Sequence, residues 1–274
     1  MEQPGPIAVF DSGYGGLTVL NKIRQHLPQY DYIYLGDNAR TPYGTRSFEV
    51  VYEYTLEAVK KLFDMGAHLV ILACNTASAK ALRNIQQKDL PLIDSNRRVL
   101  GVIRPSIEVV DELSDSKHVG VLGTVGTVQS ESYPIEINKL FPNIKVSQEA
   151  CPMWVPLVEN NESFKDGADY FVKQHIDGLL SMDKAIDTII LGCTHYPLLM
   201  DKIRQYLPGH IQLVEQGDIV GESLKDYLKR HPEMDDKCSK GSSVHFYTTE
   251  QVMKFKQTAG IFFEGELTVE HVVL

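Results

Sequence analysis

The sequence predicts an α/β protein made of two pseudosymmetric parallel-sheet lobes facing across a cleft, and three observations lead there. Short apolar runs alternate with segments of helical periodicity, the order that builds a parallel sheet covered on both faces. The runs are continuously apolar rather than alternating, as strands buried on both faces must be. Two of them also echo each other: Leu69–Thr76 reads LVILACNT and Thr188–His195 reads TIILGCTH. Each is an apolar run that stops at a cysteine, continues in a small polar residue and opens a new helical pattern.

The elements follow in order. Ile7–Phe10 is a buried strand broken by Asp11-Ser12-Gly13-Tyr14-Gly15-Gly16. Leu17, Leu20, Ile23 and Leu27 recur at helical spacing, and Pro28 follows the stop. Asp31–Leu35 is the second strand, ending in Gly36-Asp37, and Thr41-Pro42-Tyr43-Gly44 carries turn chemistry. Ser47 caps a long amphipathic helix that runs to about Met65, with Gly66 in the position after the cap. Leu69–Leu72 is the third strand, and Cys74-Asn75-Thr76 opens a helix through about Gln87. Asp89–Arg98 reads as a polar loop. Leu100–Ile103 is a strand, with Pro105 placed to start a helix. Val119–Leu122 is a buried strand, broken at Gly123–Thr127 before helical spacing resumes through Leu140. Phe164–Leu180 is a helix, Thr188–Leu191 the second cysteine strand, and Pro197 starts a helix from Leu198 to Leu207. Ile211–Val214 is a strand, Asp218–Lys229 a helix and His231–Ser243 a polar loop. Val244–Tyr247 and Leu267–Val273 close the chain as short strands.

The halves repeat: Asp11 matches Gly123 and Cys74 matches Cys193. Two such lobes related by a pseudo-two-fold axis would bring the cysteines to one cleft between them, where ligand sites are favoured. The expected division is 1–97 with 212–274 in the first lobe and 98–211 in the second.

Composition narrows the function. The chain has 274 residues, of which 43% are hydrophobic and 23% charged, with a net charge of −9. That charge, with no basic cluster, argues against nucleic acid, whose phosphates demand a basic face. No apolar run approaches the roughly 20 residues of a membrane span, and the N-terminus lacks the basic, then apolar pattern of a signal peptide. The four cysteines, Cys74, Cys151, Cys193 and Cys238, lie far apart. That fits reduced thiols in a cytoplasmic protein rather than a disulfide framework. Cys193-Thr194-His195 lacks the ligand spacing of a zinc site, so no metal is expected. Thr18 stands where a GxGxxG fingerprint needs glycine, and P-loop and GxSxG patterns are absent.

A thiol at a helix N-terminus feels the dipole and the free N–H groups, which lower its pKa towards neutrality. Cys74 and Cys193 both have that setting, and a thiol near neutrality can give or take a proton. Each could equally be a buried core cysteine. Asp11, in a glycine-rich turn, can serve a ligand or cap a helix. His195 can assist Cys193 or be structural. Asn75, Thr76, Thr124 and Thr194 are suited to hold a carboxylate or to cap helices. Glu159 carries little signal, and Cys151 and Cys238 read as structural or surface thiols. Two thiols beside one small anionic ligand would form an acid/base pair flanking a carbon.

Seven motifs, in order, carry a resemblance: FDSGYGG (Phe10–Gly16), TPYG (Thr41–Gly44), ACNTA (Ala73–Ala77), GVIRP (Gly101–Pro105), GTVGT (Gly123–Thr127), PLVE (Pro156–Glu159) and GCTHYPL (Gly192–Leu198). With them the chain resembles the glutamate racemases of the cofactor-independent aspartate/glutamate racemase family. The resemblance implies interconversion of L- and D-glutamate by two-base proton transfer with no cofactor, supplying D-glutamate for peptidoglycan. It implies Cys74 as the base towards D-glutamate and Cys193 towards L-glutamate, with Asp11 assisting the first and His195 the second, and Glu159 nearby. Asp11, Ser12, Pro42, Tyr43, Gly44, Asn75, Thr76, Thr124, Thr194 and His195 would hold the substrate. A homodimer is expected. Asp94–Arg98 lengthens the stretch before GVIRP, and Glu215-Gln216-Gly217 replaces a more familiar Asp-containing turn. A racemase for another acidic amino acid, a non-catalytic carboxylate-binding module and a thiol hydrolase remain alternatives.

Overall fold

A computed structural model describes residues 3–274. The chain forms two compact units, Met1–Val102 with Gly217–Leu274, and Ile103–Gln216. The divisions fall after residues 102 and 216 rather than 97 and 211, because the strands at both crossings belong with the chain that precedes them. Arg98–Gly101 pairs with Leu69–Leu72, and Gln212–Val214 pairs with Thr188–Gly192.

The first unit holds β1 (Ile7–Asp11), β2 (Tyr32–Gly36), β3 (Leu69–Leu72) and β4 (Arg98–Gly101). The second holds β5 (His118–Gly123), β6 (Lys145–Ala150), β7 (Thr188–Gly192) and β8 (Gln212–Val214). The chain then returns to the first unit with β9 (Val244–Thr248) and β10 (Val269–His271). Sheet order is β10-β9-β2-β1-β3-β4 in one unit and β6-β5-β7-β8 in the other. All neighbours run parallel. The order β2-β1-β3-β4 therefore recurs as β6-β5-β7-β8, which is the repeat the sequence predicts.

Register aligns the repeat residue by residue. Phe10 pairs with Leu72 and Leu122 pairs with Leu191. Each cysteine of the echo is the second residue past the strand residue so paired. Every residue of β1, β2, β3 and β7 is buried, as their unbroken apolar character requires. Ser47 caps the helix Phe48–Asp64 by accepting the Val50 N–H at 3.3 Å, and Gly66 beyond its end has φ +94°, a conformation that favours glycine.

Several elements depart from the expected pattern. Asp89–Arg98 is not simply a loop: a π-helical turn spans Ile85–Asp89, a helical turn spans Leu90–Ile93, and β4 begins at Arg98. Leu90 is buried, and Pro91 sits in the first turn, where its missing N–H costs nothing. Ile103 starts a helix instead of finishing a strand. The edge strand β6 and the helices Trp154–Glu159 and Val252–Ala259 are additional. His231–Ser243 contains a helical turn at Pro232–Asp235. Among the described residues no helix is long and apolar enough to cross a membrane.

Candidate functional site

In the first unit, the carboxyl ends of β1, β2 and β3 lie level because their registers coincide. The Ala73 N–H donates to the Phe10 carbonyl at 2.8 Å and the Asp37 N–H to the Asp11 carbonyl at 3.0 Å. This brings Asp11, Asp37 and Cys74 to one edge of the sheet. Cys74 caps the helix Asn75–Lys80, its Sγ accepting the Ala77 N–H at 3.4 Å, and the thiol points to the Ser12 hydroxyl at 3.5 Å. Asp11 is 1% exposed and accepts the Gly13 N–H at 2.9 Å. Asn75 and Thr76, in the first turn of that helix, are buried.

Gly16 lies directly under Asp11. A Cβ there would stand 2.5 Å from the Asp11 Cβ and 3.1 Å from that of Ala73. Gly16→Ala is therefore expected to push Asp11 out of place and to destabilise the fold by roughly 1–3 kcal/mol. Chemical denaturation together with an activity assay checks this, and an active, fully stable variant would refute it.

Pro42, Tyr43 and Gly44 belong to the loop after β2. Tyr43 is buried, its ring 6.3 Å from that of Phe10, and its hydroxyl donates to Asp37 Oδ2. Burial, and then the charge of Asp37, hold the phenol far above its ordinary pKa. Its hydroxyl is thus committed inside the protein, so a ligand at this loop would meet the backbone of Tyr43 rather than the phenol. Asp37 also accepts from Arg40 Nε at 2.6 Å and from the Thr249 hydroxyl at 2.8 Å. Sequence reasoning noted Asp37 only as the end of a strand and passed over Arg40 and Thr249.

In the second unit, Gly123 pairs with both Ala150 and Gly192, which sets Thr124, Cys151 and Cys193 at the same level past the sheet. Thr124 caps the short helix Val125–Gln129, accepting the Thr127 N–H at 3.2 Å. Cys193 does not open an α-helix as expected. The chain passes through a 3₁₀ turn, Tyr196–Leu199, before the α-helix Met200–Tyr206, because the tight turn closes on the Cys193 carbonyl through the Tyr196 N–H at 3.2 Å. In place of a helix end, Cys193 has a histidine. Its Sγ lies 3.9 Å from His195 Nδ1, the Thr194 hydroxyl lies 3.4 Å from the same nitrogen, and His195 Nε2 lies 2.9 Å from Glu159 Oε1.

His195 is 4% exposed. Burial works against a charge on the ring, but the bond to Cys193 and the bond to Glu159 outweigh it and hold the imidazole up at about 10. The ring is a cation at neutral pH, clamped between the Cys193 sulfur and the Glu159 side chain. Glu159, weak as a sequence signal, is thereby joined to the site through a residue 36 positions away.

The other two cysteines are buried rather than at the surface. Burial, then the charge of Glu149, raises the Cys151 thiol. Burial, then Asp235, pushes Cys238 up to about 12. Neither is poised to ionise. Among the described residues no group of three or more His, Cys, Asp or Glu side chains is placed to hold a metal ion.

Residues 16–220 match the family model of the Asp/Glu/hydantoin racemases. A glutamate racemase of Ruegeria sp. is 39% identical, the match covering 96% of this chain and 98% of that protein. The crystal structure of a glutamate racemase isoform from Bacillus anthracis is similar with a TM-score of 0.89 at 33% identity, covering 98% of each chain. A glutamate racemase from Francisella tularensis, solved with D-glutamate, is similar with a TM-score of 0.86 at 32% identity, covering 99% of this chain and 98% of that one.

Proposed function

The chain belongs to the Asp/Glu/hydantoin racemase family, and from that premise we propose that it interconverts L- and D-glutamate by passing the Cα proton between two thiols, Cys74 and Cys193, with no cofactor. The observation that carries this reading is the repeat. Two cysteines stand at equivalent strand ends, each beside a group able to assist it, the Ser12 hydroxyl and the His195 ring. Glutamate as substrate is supported by the names of the relatives and by the D-glutamate in the Francisella structure.

Racemisation needs a base on one face of the carbon and an acid on the other. The thiolate on one side takes the proton, and the thiol on the other returns one to the opposite face. The two exchange roles when the reaction runs backwards. A thiol suits both roles because its pKa lies within a few units of neutrality, unlike a hydroxyl's. In this reading Cys193 takes the proton from L-glutamate and Cys74 from D-glutamate.

Asp11 assists Cys74. His195 assists Cys193, and Glu159 holds the His195 ring and keeps it charged. The α-carbon is a weak acid, so the charge developing on its carboxylate must meet fixed donors in a site that excludes water. Ser12, Asn75, Thr76, Thr124 and Thr194 supply hydroxyls, amides and helix N–H groups for this, with the backbone N–H groups of Tyr43 and Gly44 completing the set and Pro42, which has no N–H, shaping the loop that carries them. The product would serve peptidoglycan synthesis, the enzyme acting in the cytoplasm as a homodimer.

The test is proton NMR of L-glutamate with the purified protein in D2O. Loss of the Cα–H signal together with appearance of D-glutamate supports the reading. Retention of the signal with glutamate, but loss with aspartate, would reassign the substrate. Retention with every amino acid would leave a carboxylate-binding module.

A further inference from the structure

We propose that Thr249, outside every motif of the family resemblance, is a positioning residue for the substrate loop Pro42–Gly44 and acts through Asp37. The proposal rests on the reading of that loop as substrate-binding.

Asp37 is fully buried. Its Oδ2 serves two partners that belong to the loop region, Arg40 Nε at 2.6 Å and the Tyr43 hydroxyl. A carboxylate is free to turn about its last bond, so Oδ2 is aimed only if Oδ1 is fixed. The Thr249 hydroxyl fixes it, donating to Oδ1 at 2.8 Å while accepting the Ala39 N–H at 3.0 Å. One hydroxyl thus holds both the side chain of Asp37 and the backbone two residues on. Its own position is set by the end of β9. There the Thr249 N–H donates to the Gly36 carbonyl at 3.2 Å, and the neighbouring Thr248 hydroxyl donates to Asn38 Oδ1 at 2.9 Å.

The far side of the loop is anchored independently. Lys80, on the helix that Cys74 caps, donates to the Arg46 carbonyl at 2.7 Å, and the Arg46 N–H donates to the Tyr43 carbonyl at 3.1 Å. Arg40 is held in turn by Glu57 and lies 4.0 Å over the Tyr54 ring. The loop is therefore held by the cysteine helix on one side and by the returning C-terminal segment on the other. Thr249 is the half-buried link of that second anchor. Valine at this position keeps the shape and removes both hydrogen bonds, whereas serine keeps both.

The experiment compares Thr249→Val, Thr249→Ser, Tyr43→Phe and the double variant Thr249→Val/Tyr43→Phe in glutamate racemisation. Hydrogen exchange of residues 38–46 is followed in parallel. Thr249→Val is expected to raise KM by about tenfold with kcat changed by less than about threefold, because a loosened loop costs substrate binding before chemistry. Thr249→Ser is expected to stay within about twofold of the parent. In the double variant the rise in KM should fall short of the product of the two single rises, since both changes cut contacts that meet at Asp37. Exchange in 38–46 should quicken in Thr249→Val and not in Thr249→Ser.

An unchanged KM in Thr249→Val, rises that multiply in full in the double variant, or equal losses in the valine and serine variants would overturn the proposal. Failure of the underlying reading looks different. The parent would then not racemise glutamate, or Tyr43→Phe would leave KM where it was, while hydrogen exchange would still report whether Thr249 holds the loop.

Discussion

Cys74→Ser and Cys193→Ser are each expected to lower racemisation by a factor of about 10³ or more, which is about 4 kcal/mol of barrier. A serine hydroxyl is nearly isosteric with the thiol but ionises far above neutrality, so the variant keeps the shape of the site and loses the proton carrier. L- and D-glutamate are enantiomers of equal free energy, so kcat/KM must be the same in both directions for any variant. The asymmetry between the two thiols therefore cannot appear there. It should appear in D2O as slow exchange of the Cα proton of a single enantiomer: L-glutamate with Cys74→Ser, which retains Cys193, and D-glutamate with Cys193→Ser. Cys74 borrows an N–H from the turn it caps and faces the Ser12 hydroxyl, whereas Cys193 has a charged imidazole. The two losses need not be equal in size. Either variant retaining more than about a tenth of the parent rate would remove its thiol from the role of base.

The parts of this protein that were legible in the sequence share a physical feature: their signal is local. Strands buried on both faces must be apolar throughout, so β1, β3, β5 and β7 announce themselves, and an abrupt polar residue marks where each leaves the sheet. Cys74, and the helices after Ser47 and Cys74, follow from capping chemistry that spans a few residues, whereas the 3₁₀ turn after Cys193 does not. What stayed hidden lacks such a signal. The strand β6, KVSQEA, lies at a sheet edge, half-exposed, and need not be apolar. The helix Trp154–Glu159 is too short to show a period, so Glu159 could not be placed against His195 from spacing alone. Likewise Asp37 and Thr249 are separated by 212 positions and meet only because β9 pairs with β2. The phenol of Tyr43 shows the same limit: the motif TPYG suggests a ligand contact, but only packing reveals that its hydroxyl is turned inward to Asp37.

His195→Asn is expected to lower kcat by a factor of about 10² to 10³, the usual scale for a lost proton-transfer partner. Asparagine approximates the size of the ring but carries neither its charge nor an exchangeable ring proton at the Cys193 side. Because proton removal from L-glutamate would then become the slower step, the isotope effect with α-deuterated L-glutamate should rise, more than that with the D-enantiomer. A variant with unchanged kcat would reduce His195 to a structural partner of Glu159. The charge on the ring also has a signature in stability. Its folded pKa is raised from 6.5 to about 10 by Cys193 and Glu159 against the opposing effect of burial. Its contribution is therefore fully present below the unfolded value and is lost as pH climbs towards the folded one. Over that window the folded ring keeps a proton that the unfolded ring has released, so each added pH unit favours unfolding. Urea denaturation of the parent and of His195→Asn at pH 7 and pH 10 should show the advantage of the parent shrinking by about 1–3 kcal/mol. An advantage that grew with pH would mean that the folded protein holds His195 neutral, and the assisting role of its proton towards Cys193 would fall with that result.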